Sequence, residues 1–514
     1  MDRPCERTGR CEEIFLLDKR IWSCACDVGL ASSRVAIVNA SAIVRVSAST
    51  LPLIAERGVS IPMYDRAKLA ARIVHIGVGG FQRAHLALYT HELAANGSDW
   101  GITGVGLLPQ DVAMERALRH QDYLYTLTEK GNGQPSAQVI GAITGYCLAL
   151  DDDGPLCDVV AAPQTAIVSL TITEAGYAEP TAEHLAKNER TTIDRLANAL
   201  HERMRRSGGP LTILSCDNLP GNGTVARQAT LRAAGRTSSE LAEWVDANCS
   251  FPNSMVDRIT PATSDADRLW LRHDRHVDDE WPVVCEPFRQ WVIEDRFVAG
   301  RPAWEEVGVL FTDRVHDWEL YKLRMLNAGH SCMAYLAALA GITYVDEAMD
   351  DPSIQAYLND LLFTEAIPTL DEIPGHPRQQ YATSVLERFA NRGVRDQIAR
   401  LCIDGSAKFP TFLVPTVVRQ LELDGPIIRG ATALAGWARY LGVVAFEQQA
   451  FDASIDIARS YGAKALTDPV AFLDNEQVFP VSLRNSTRFR SAFAAAYAVI
   501  SDDGPLAAAS MSER

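Results

Sequence analysis

The sequence predicts an α/β half built around a parallel β-sheet, over residues 55–310, and a mostly α-helical half, over residues 311–514. In the first half, short apolar runs such as "AIVSLTI" and "LTILS" alternate with segments of helical periodicity such as "TTIDRLANALHERMRRS". This alternation is typical of a parallel sheet covered by helices on both faces. In the second half, long helical patterns such as "PIIRGATALAGWARYLGVV" follow one another with few strand signals.

The composition is that of a large globular protein. The chain has 514 residues, 47% of them hydrophobic, which is enough for several domains with substantial cores. Its net charge of −16 argues against broad binding to nucleic acid or to anionic membranes. No apolar run is long enough to span a bilayer and no secretory core follows the N-terminus, so we expect a cytoplasmic protein.

The 11 cysteines are spread through the chain, which favours reduced thiols over a disulfide framework. Four of them fall within residues 1–26, but their spacing matches no usual zinc pattern, and we expect no metal site. Residues 1–54 show no clear period. We assign them to an N-terminal extension, which is either disordered or a mis-assigned start.

The first strand of the α/β half ends in a glycine turn. "RIVHIGVGG" is a β-branched run that ends in glycines, and "FQRAHLALYTHELAANG" then has helical spacing. Gly77 and Gly79 would let backbone N–H groups approach a pyrophosphate at the helix N-terminus, as in a Rossmann-like domain. Gln82 stands where the dinucleotide-binding fingerprint has Gly or Ala, so the motif alone leaves an ordinary strand-to-helix turn open.

Polar residues follow several of the predicted strands. Asp111 in "GLLPQDV" could accept hydrogen bonds from the adenosine ribose. The same sequence pattern also fits an ordinary solvated residue in a loop. Asp217 and Asn218 in "LTILSCDNLPGNG" lie at a strand end, where ligands of such sheets gather, or they form a turn. Thr173 and Glu174 in "SLTITEAGY" have the same two interpretations.

One helical segment in the second half, "ELYKLRMLNAGHSCMAYL", carries polar residues among Leu and Met. At about 100° per residue, Glu319, Lys322, Asn327 and His330 fall within an arc of about 140°. A solvated stripe or a buried Glu319–Lys322 ion pair would explain this pattern. The functional alternative is a site in which Lys322 moves a proton while Asn327 and His330 hold a polar substrate.

The chain resembles the polyol-specific long-chain dehydrogenase/reductase family from about residue 55 to about residue 500. The motifs that carry the resemblance are "HIGVGGFQRAH", "VSLTITEAGY", "LSCDNLPGNG", "SFPNSMVDRITP" and "PVVCEPFRQWV", together with the spacing of Lys322, Asn327 and His330. So many ordered matches are specific. The resemblance implies a dinucleotide-binding domain joined to a helical domain that binds the substrate.

The resemblance also implies roles for single residues. Lys322 would be the acid/base, Asn218 and Asn327 would hold the alkoxide or carbonyl oxygen, and His330 would position the substrate. Supporting or substrate-binding roles are implied for Glu319, Asp257, Arg400 and Lys408. Contacts to the cofactor are implied for Gly77, Gly79, Gly80, Phe81 and Asp111.

The activity implied is metal-independent, NAD-dependent oxidation of a polyol to a ketose, with mannitol to fructose favoured. Asp111 would accept both ribose hydroxyls and repel a 2′-phosphate, which favours NAD over NADP. Fructuronate/mannonate oxidoreductase and arabinitol dehydrogenase remain alternatives, and a non-catalytic NAD-binding sensor is an alternative of another class. We expect a monomer whose partners are small-molecule polyols and ketoses, with no nucleic acid and no membrane.

Overall fold

The computed structural model of the protein describes residues 42–181, 190–443 and 455–511. Its largest sheet has six strands in the order β6-β3-β2-β7-β8-β9, and every neighbouring pair is parallel. These strands are β2 (Ala70–Ile76), β3 (Trp100–Gly106), β6 (Ile143–Leu148), β7 (Ile167–Leu170), β8 (Leu211–Ser215) and β9 (Cys249–Ser250). The predicted Rossmann-type architecture is confirmed.

Three smaller sheets surround the large one. One pairs β1 (Val44–Arg45) with β11 (Val277–Asp278). A second contains β12 (Val283–Cys285), β4 (Tyr125–Glu129) and β5 (Ser136–Ile140). A third contains β10 (Ser254–Asp257), β13 (Gln290–Ile293) and β14 (Leu310–Phe311). Residues 281–295 therefore contain two short strands, β12 and β13.

The sheet is apolar on both faces because helices cover both. In β2, Ile73 faces one hydrophobic cluster while Val74 and Ile76 face another, as the alternation of a strand requires. The α-helices of this half are Leu51–Ala55, Gly80–Ala84, Leu86–Ala95, Asp111–His120, Gly154–Ala161, Thr192–Arg205, Asn222–Thr237, Ser239–Asn248 and Asp265–Asp274. Thr192–Arg205 begins at a capping box, in which Thr191 and Asp194 satisfy each other's backbone N–H groups.

The second half is helical, as predicted. Its α-helices are Val315–Tyr321, Ala328–Leu339, Val345–Asp350, Pro352–Asp360, Arg378–Phe389, Ile398–Leu401, Gly405–Phe412, Val414–Glu422, Ile428–Val443, Ile455–Ala465, Val481–Arg484, Thr487–Asp502 and Pro505–Ala509. Two π-helical turns, Lys322–Asn327 and Leu361–Ala366, interrupt this pattern. The largest hydrophobic cluster of the described residues lies here and includes the buried Trp437.

The predicted N-terminal extension, residues 1–54, is described by the structure only from residue 42 onward. Residues 1–41 lie outside the described residues. From Ile43 onward the chain belongs to the same compact unit as the rest of the described protein. Val44, Val46 and Ile54 are buried in a cluster with Leu271 and Val277, because their apolar side chains fill the space beside β11.

Gly77 ends β2 with φ at +90°, and an added Cβ would collide with the carbonyl oxygen of Thr171. We expect Gly77→Ala to lower the free energy of unfolding by about 1–3 kcal/mol or more, since both the strained backbone and the collision oppose the side chain. Gly133→Ala is the control, because no atom lies within 4 Å of its added Cβ. Chemical denaturation of both variants measures the difference, and equal stabilities would refute the collision.

Within the ranges that the structure describes, no helix is both long and apolar enough to cross a membrane.

Candidate active site

A cavity of about 630 Å³ lies between the carboxyl ends of the sheet strands and the helical half. One end is formed by the glycine turn, with Gly77, Gly79, Gly80, Phe81 and Gln82. The other end is formed by residues of the helical half, of the loop after β8 and of β10. These are Asp217, Asn218, Val256, Asp257, Lys322, Asn327, His330, Arg400 and Lys408. The order β3-β2-β7-β8 reverses beside β2, which is where open parallel sheets bind their ligands.

The glycine turn is held against the neighbouring strand. Thr171 Oγ1 donates a hydrogen bond of 2.7 Å to the Gly77 carbonyl, and His75 bridges Ser169 and Thr171. Burial lowers the pKa of His75 to about 3, so this imidazole is neutral. Beside Gly79 only the Gly77 carbonyl comes within 4 Å of an added Cβ, which leaves room for a ligand next to the backbone. This end fits the diphosphate of a dinucleotide.

The turn after β7 is strained, and Asp217 holds it. Thr173 has φ at +62°, which a β-branched residue rarely adopts. The Asp217 carboxylate accepts hydrogen bonds from the Ile172 N–H at 3.1 Å, the Thr173 N–H at 2.8 Å and the Tyr177 hydroxyl at 2.6 Å. Thr173 and Asp217 line the cavity, so the strain is located at the site. The sequence identified these residues but gave no sign of the strain.

The segment with Lys322 and Asn327 is the π-helical turn. In a π-helix the backbone hydrogen bonds join residues five apart, so residues five apart face nearly the same side. Lys322 and Asn327 are therefore closer in direction than the α-helical wheel predicts. Turns of this kind are frequent at functional sites.

Lys322 is buried, and its amine is bound by neutral oxygens. Nζ donates hydrogen bonds of 2.6 Å to Asn218 Oδ1 and 2.6 Å to the Val256 carbonyl. Burial lowers the pKa of Lys322, and the nearby charge of Arg388 lowers it further, while Asp257 and Glu319 oppose the shift. A lysine with a lowered pKa can accept a proton near neutral pH.

Three further polar groups of the predicted set face the same space. Asn218 Oδ1 accepts a hydrogen bond from Lys322. Asn327 Nδ2 and His330 Nε2 are buried and have no hydrogen-bond partner in the described structure. His330 stacks on Phe389 with ring centroids 4.2 Å apart, and burial lowers its pKa to about 3, so it is neutral. Buried polar groups without partners indicate that the cavity binds a polar molecule.

Glu319 does not pair with Lys322, so the alternative of a simple ion pair between them is wrong. Its Oε1 accepts a hydrogen bond of 3.0 Å from the Gly221 N–H, and its Oε2 lies 3.5 Å from His316 Nδ1. Burial raises the pKa of Glu319. Glu319 and Lys322 both line a small second pocket, and Glu319 does not line the main cavity.

Asp257 is buried in a charge cluster that sequence reasoning missed in part. Arg388 donates two hydrogen bonds to the Asp257 carboxylate, at 2.7 and 2.8 Å, and two to Glu286, at 2.7 and 3.0 Å. Burial alone would raise the pKa of Asp257, but the Arg388 charge and hydrogen bonds hold it below its usual value. "CEPFRQWV" contains no local sign that its Glu286 would meet Arg388, about a hundred residues later.

Arg400 and Lys408 of the helical half also line the cavity. Arg400 forms a bidentate pair with Asp396, at 2.8 and 2.5 Å. Lys408 Nζ donates to the Leu401 carbonyl at 3.1 Å, and burial lowers its pKa. Both side chains are thus oriented by their neighbours.

Asp111, like Glu319, is a predicted site residue that does not line this cavity. It begins the helix Asp111–His120, just after β3. Its Oδ2 accepts hydrogen bonds of 2.9 Å from the N–H groups of Leu107 and Leu108. The carboxylate therefore shapes the loop at the strand end.

In the described parts of the chain, no three or more His, Cys, Asp or Glu side chains are grouped so that they could hold a metal ion. The arrangement offers a lysine of lowered pKa and amide groups beside it. With the glycine turn at the other end of the cavity, such a set suits proton transfer from an alcohol coupled to hydride transfer to a nicotinamide.

Comparisons with known proteins agree with this geometry. The model of the mannitol dehydrogenase Rossmann domain matches residues 71–306, and that of the mannitol dehydrogenase C-terminal domain matches residues 314–501. Mannitol dehydrogenase 2 of Saccharomyces cerevisiae is 40% identical over 474 residues, covering 88% of this chain and 94% of that protein.

Two solved structures share both the fold and much of the sequence. The Pseudomonas fluorescens mannitol 2-dehydrogenase ternary complex with NAD and D-mannitol has a TM-score of 0.82 and 39% identity, covering 90% of this chain and 98% of that one. D-sorbitol dehydrogenase in substrate-free form has a TM-score of 0.78 and 35% identity, covering 88% of this chain and 97% of that one.

Proposed function

Because the chain belongs to the mannitol dehydrogenase family, we propose that it is an NAD-dependent polyol dehydrogenase that oxidises mannitol to fructose and catalyses the reverse reaction. The observation that carries the proposal is the Lys322 amine, held between two neutral oxygens in a cavity that reaches the glycine turn. The solved relative with NAD and D-mannitol supports this choice of cofactor and substrate.

The residues of the glycine turn fit a dinucleotide, since the space beside Gly79 is open and the turn follows a parallel strand. NAD, when bound, accepts the hydride from the carbinol carbon. Lys322 accepts the proton from the hydroxyl oxygen on that carbon in oxidation and returns it to the oxygen in reduction. Asn327 Nδ2 donates to the substrate oxygen as negative charge develops there.

Asn218 takes part in both proton transfer by Lys322 and stabilisation of the substrate oxygen. Its Oδ1 accepts from Lys322, and its amide nitrogen is proposed as a second donor to the substrate oxygen. Two amide donors and a lysine stabilise the alkoxide without a Lewis acid, which supports a metal-independent reaction. His330, neutral and stacked on Phe389, orients a neighbouring hydroxyl of the substrate.

The charged side chains that line the cavity favour a neutral polyol over a uronate as the substrate. A uronate carboxylate needs an unpaired cation, but the Arg400 guanidinium is already paired with Asp396. Burial lowers the pKa of Lys408, and the carboxylates of Glu174 and Asp257 also line the cavity. Hydroxyl groups can bond to all of these side chains, whereas another carboxylate would be repelled by two of them.

The test of this proposal is NADH formation from NAD with mannitol, arabinitol, sorbitol and mannonate, with and without EDTA. We expect mannitol to turn over best and EDTA to have no effect. Turnover of mannonate alone would make the protein a uronate oxidoreductase. Binding of NADH without turnover of any substrate would favour the non-catalytic sensor.

The rate of mannitol oxidation is expected to rise with pH, because only neutral Lys322 can accept the proton. Neutral lysine becomes populated as the pH rises through its pKa, and this pKa is lowered from the usual lysine value. Fructose reduction needs protonated Lys322 and is expected to fall over the same interval. The pH profiles of kcat in both directions check this, and parallel profiles would contradict it.

Asp111 is proposed to exclude NADP. Asp111→Asn keeps an oxygen that can accept from Leu107 and Leu108 but removes the charge. We expect kcat/KM with NADP to rise by about tenfold or more relative to NAD, since a 2′-phosphate would no longer meet a carboxylate. The exposed Asp152→Asn serves as the control. An unchanged cofactor ratio would show that Asp111 only shapes the loop.

We also propose that the protein works in the cytoplasm as a monomer. In the described ranges all seven cysteines are free thiols, which suits a reducing compartment. Light scattering of the purified chain measures the mass and would detect a dimer directly.

A further inference from the structure

We propose that Arg388 is a positioning residue that holds the Asp257 carboxylate away from the Lys322 amine, so that Lys322 can release its proton. This inference rests on the proposed function, in which Lys322 is the base. It concerns a residue that contacts neither the cofactor space nor the substrate space, since Arg388 does not line the main cavity.

The first observation is what Lys322 does not bind. Two carboxylates are close to it electrostatically, Asp257 and Glu319. Yet in the described part of the chain its amine forms no ion pair and donates only to Asn218 Oδ1 and the Val256 carbonyl. Asp257 directly follows Val256, so this carboxylate is one residue from an acceptor of Lys322. Asp217, which precedes the other acceptor Asn218, is already bound by the Ile172 and Thr173 N–H groups and the Tyr177 hydroxyl.

The second observation is what Asp257 binds instead. Both of its oxygens accept from the Arg388 guanidinium, at 2.7 and 2.8 Å, and the Tyr381 hydroxyl lies 3.4 Å from Oδ2. Arg388 and Tyr381 both belong to the helix Arg378–Phe389 of the helical half. A bidentate pair fixes the direction of a carboxylate as well as its position.

The third observation is that Arg388 is itself immobilised. Its Nε and second amino group donate to Glu286 at 3.0 and 2.7 Å, and its guanidinium carbon lies 4.0 Å from the centre of the Phe288 ring. Glu286 in turn accepts from the Ile259 N–H at 2.6 Å. Arg388 therefore joins the end of β10, at Asp257, to the loop after β12, at Glu286.

These contacts determine whether Lys322 is protonated or neutral, and the proposed oxidation needs the neutral form. A buried lysine paired with a carboxylate stays protonated, whereas one bound by neutral oxygens can become neutral. The other charged groups around Lys322 are also engaged, Glu319 with Gly221 and His316, and Arg400 with Asp396. His330 is neutral, and Lys408 is bound to the Leu401 carbonyl. Asp257 is thus the carboxylate that Arg388 must restrain.

The experiment measures the pH profile of kcat for mannitol oxidation in wild type, Arg388→Met, and Arg388→Met with Asp257→Asn. In Arg388→Met the freed Asp257 can pair with Lys322. We expect the acidic limb of the profile, where kcat rises as Lys322 loses its proton, to move up by about 1–3 pH units. In the double variant no carboxylate remains at position 257, and the limb is expected to return to the wild-type value or below it. A purely structural role for Arg388 would give no such reversal.

Arg388→Lys keeps the cation but cannot bridge both carboxylates, so its limb is expected to move up by less, and Asp257→Asn should again reverse the shift. This pair also serves if Arg388→Met does not fold, which thermal unfolding detects. A wild-type limb in both Arg388 variants, or no reversal by Asp257→Asn, overturns the inference. If Lys322→Ala instead keeps the wild-type activity and limb, Lys322 is not the base and the proposed function itself fails.

Discussion

Lys322→Ala is expected to lower kcat for mannitol oxidation by about 10²–10⁴-fold, because the reaction loses its proton acceptor. NADH affinity should change little, since the glycine turn lies at the other end of the cavity. Stopped-flow or steady-state assays of NADH formation give kcat, and a fluorescence titration with NADH gives its dissociation constant. The two together separate loss of chemistry from loss of binding.

Lys68→Ala is the matched control for this variant, because Lys68 is exposed and does not line the cavity. It should leave kcat within experimental error of wild type. If Lys322→Ala keeps wild-type kcat, another group accepts the proton. If it loses NADH binding as well, the cavity has collapsed, and Lys322→Met, which keeps the length of the side chain, is the variant to measure.

Asn327→Leu is expected to lower kcat by about 10²–10³-fold, the usual cost of removing one donor to a developing oxyanion. Asn327 Nδ2 has no protein partner among the described residues, so this loss concerns the substrate and not the fold. The stability should stay the same or rise, because a buried donor without a partner costs free energy that leucine avoids. Activity and melting temperature are then expected to change in opposite directions.

Asn359→Leu, on the exposed face of the helix Pro352–Asp360, is the control and should change neither quantity greatly. A fall in melting temperature together with kcat in Asn327→Leu would point to a structural role. Asn218→Leu differs in kind, since it also removes the acceptor of Lys322. We expect it to alter the pH profile as well as kcat, which Asn327→Leu should not do.

Asn327, His330 and Thr173 show why the residues of an active site can lower the stability of the fold. Asn327 and His330 keep buried polar atoms without protein partners, and Thr173 keeps a strained backbone, all around one cavity. Such features persist because the surrounding helices and strands hold them in place. A ligand with several hydroxyl groups would satisfy the unpaired atoms, which is consistent with a polyol.

Sequence alone determined the features that depend on local pattern. "LTILS" became β8 at Leu211–Ser215, and the helical periodicity of "TTIDRLANALHERMRRS" became the helix Thr192–Arg205. Apolar runs predicted the parallel strands because both faces of the sheet are covered, and the motif spacing predicted that Lys322, Asn327 and His330 would share one site. The structure brings these three residues together with Asn218 around the cavity.

Only the tertiary structure decided the contacts between distant parts of the chain. Arg388 meets Asp257 across 131 residues and Glu286 across 102, and no local periodicity encodes such a meeting. The π-helical turn and the positive φ of Thr173 likewise depend on neighbours, because an isolated chain would adopt the less strained α-helix or strand. The sequence therefore determined which groups are present, and long-range packing determined that Lys322 is bound by neutral oxygens, because the carboxylates beside it are held elsewhere by residues from other elements.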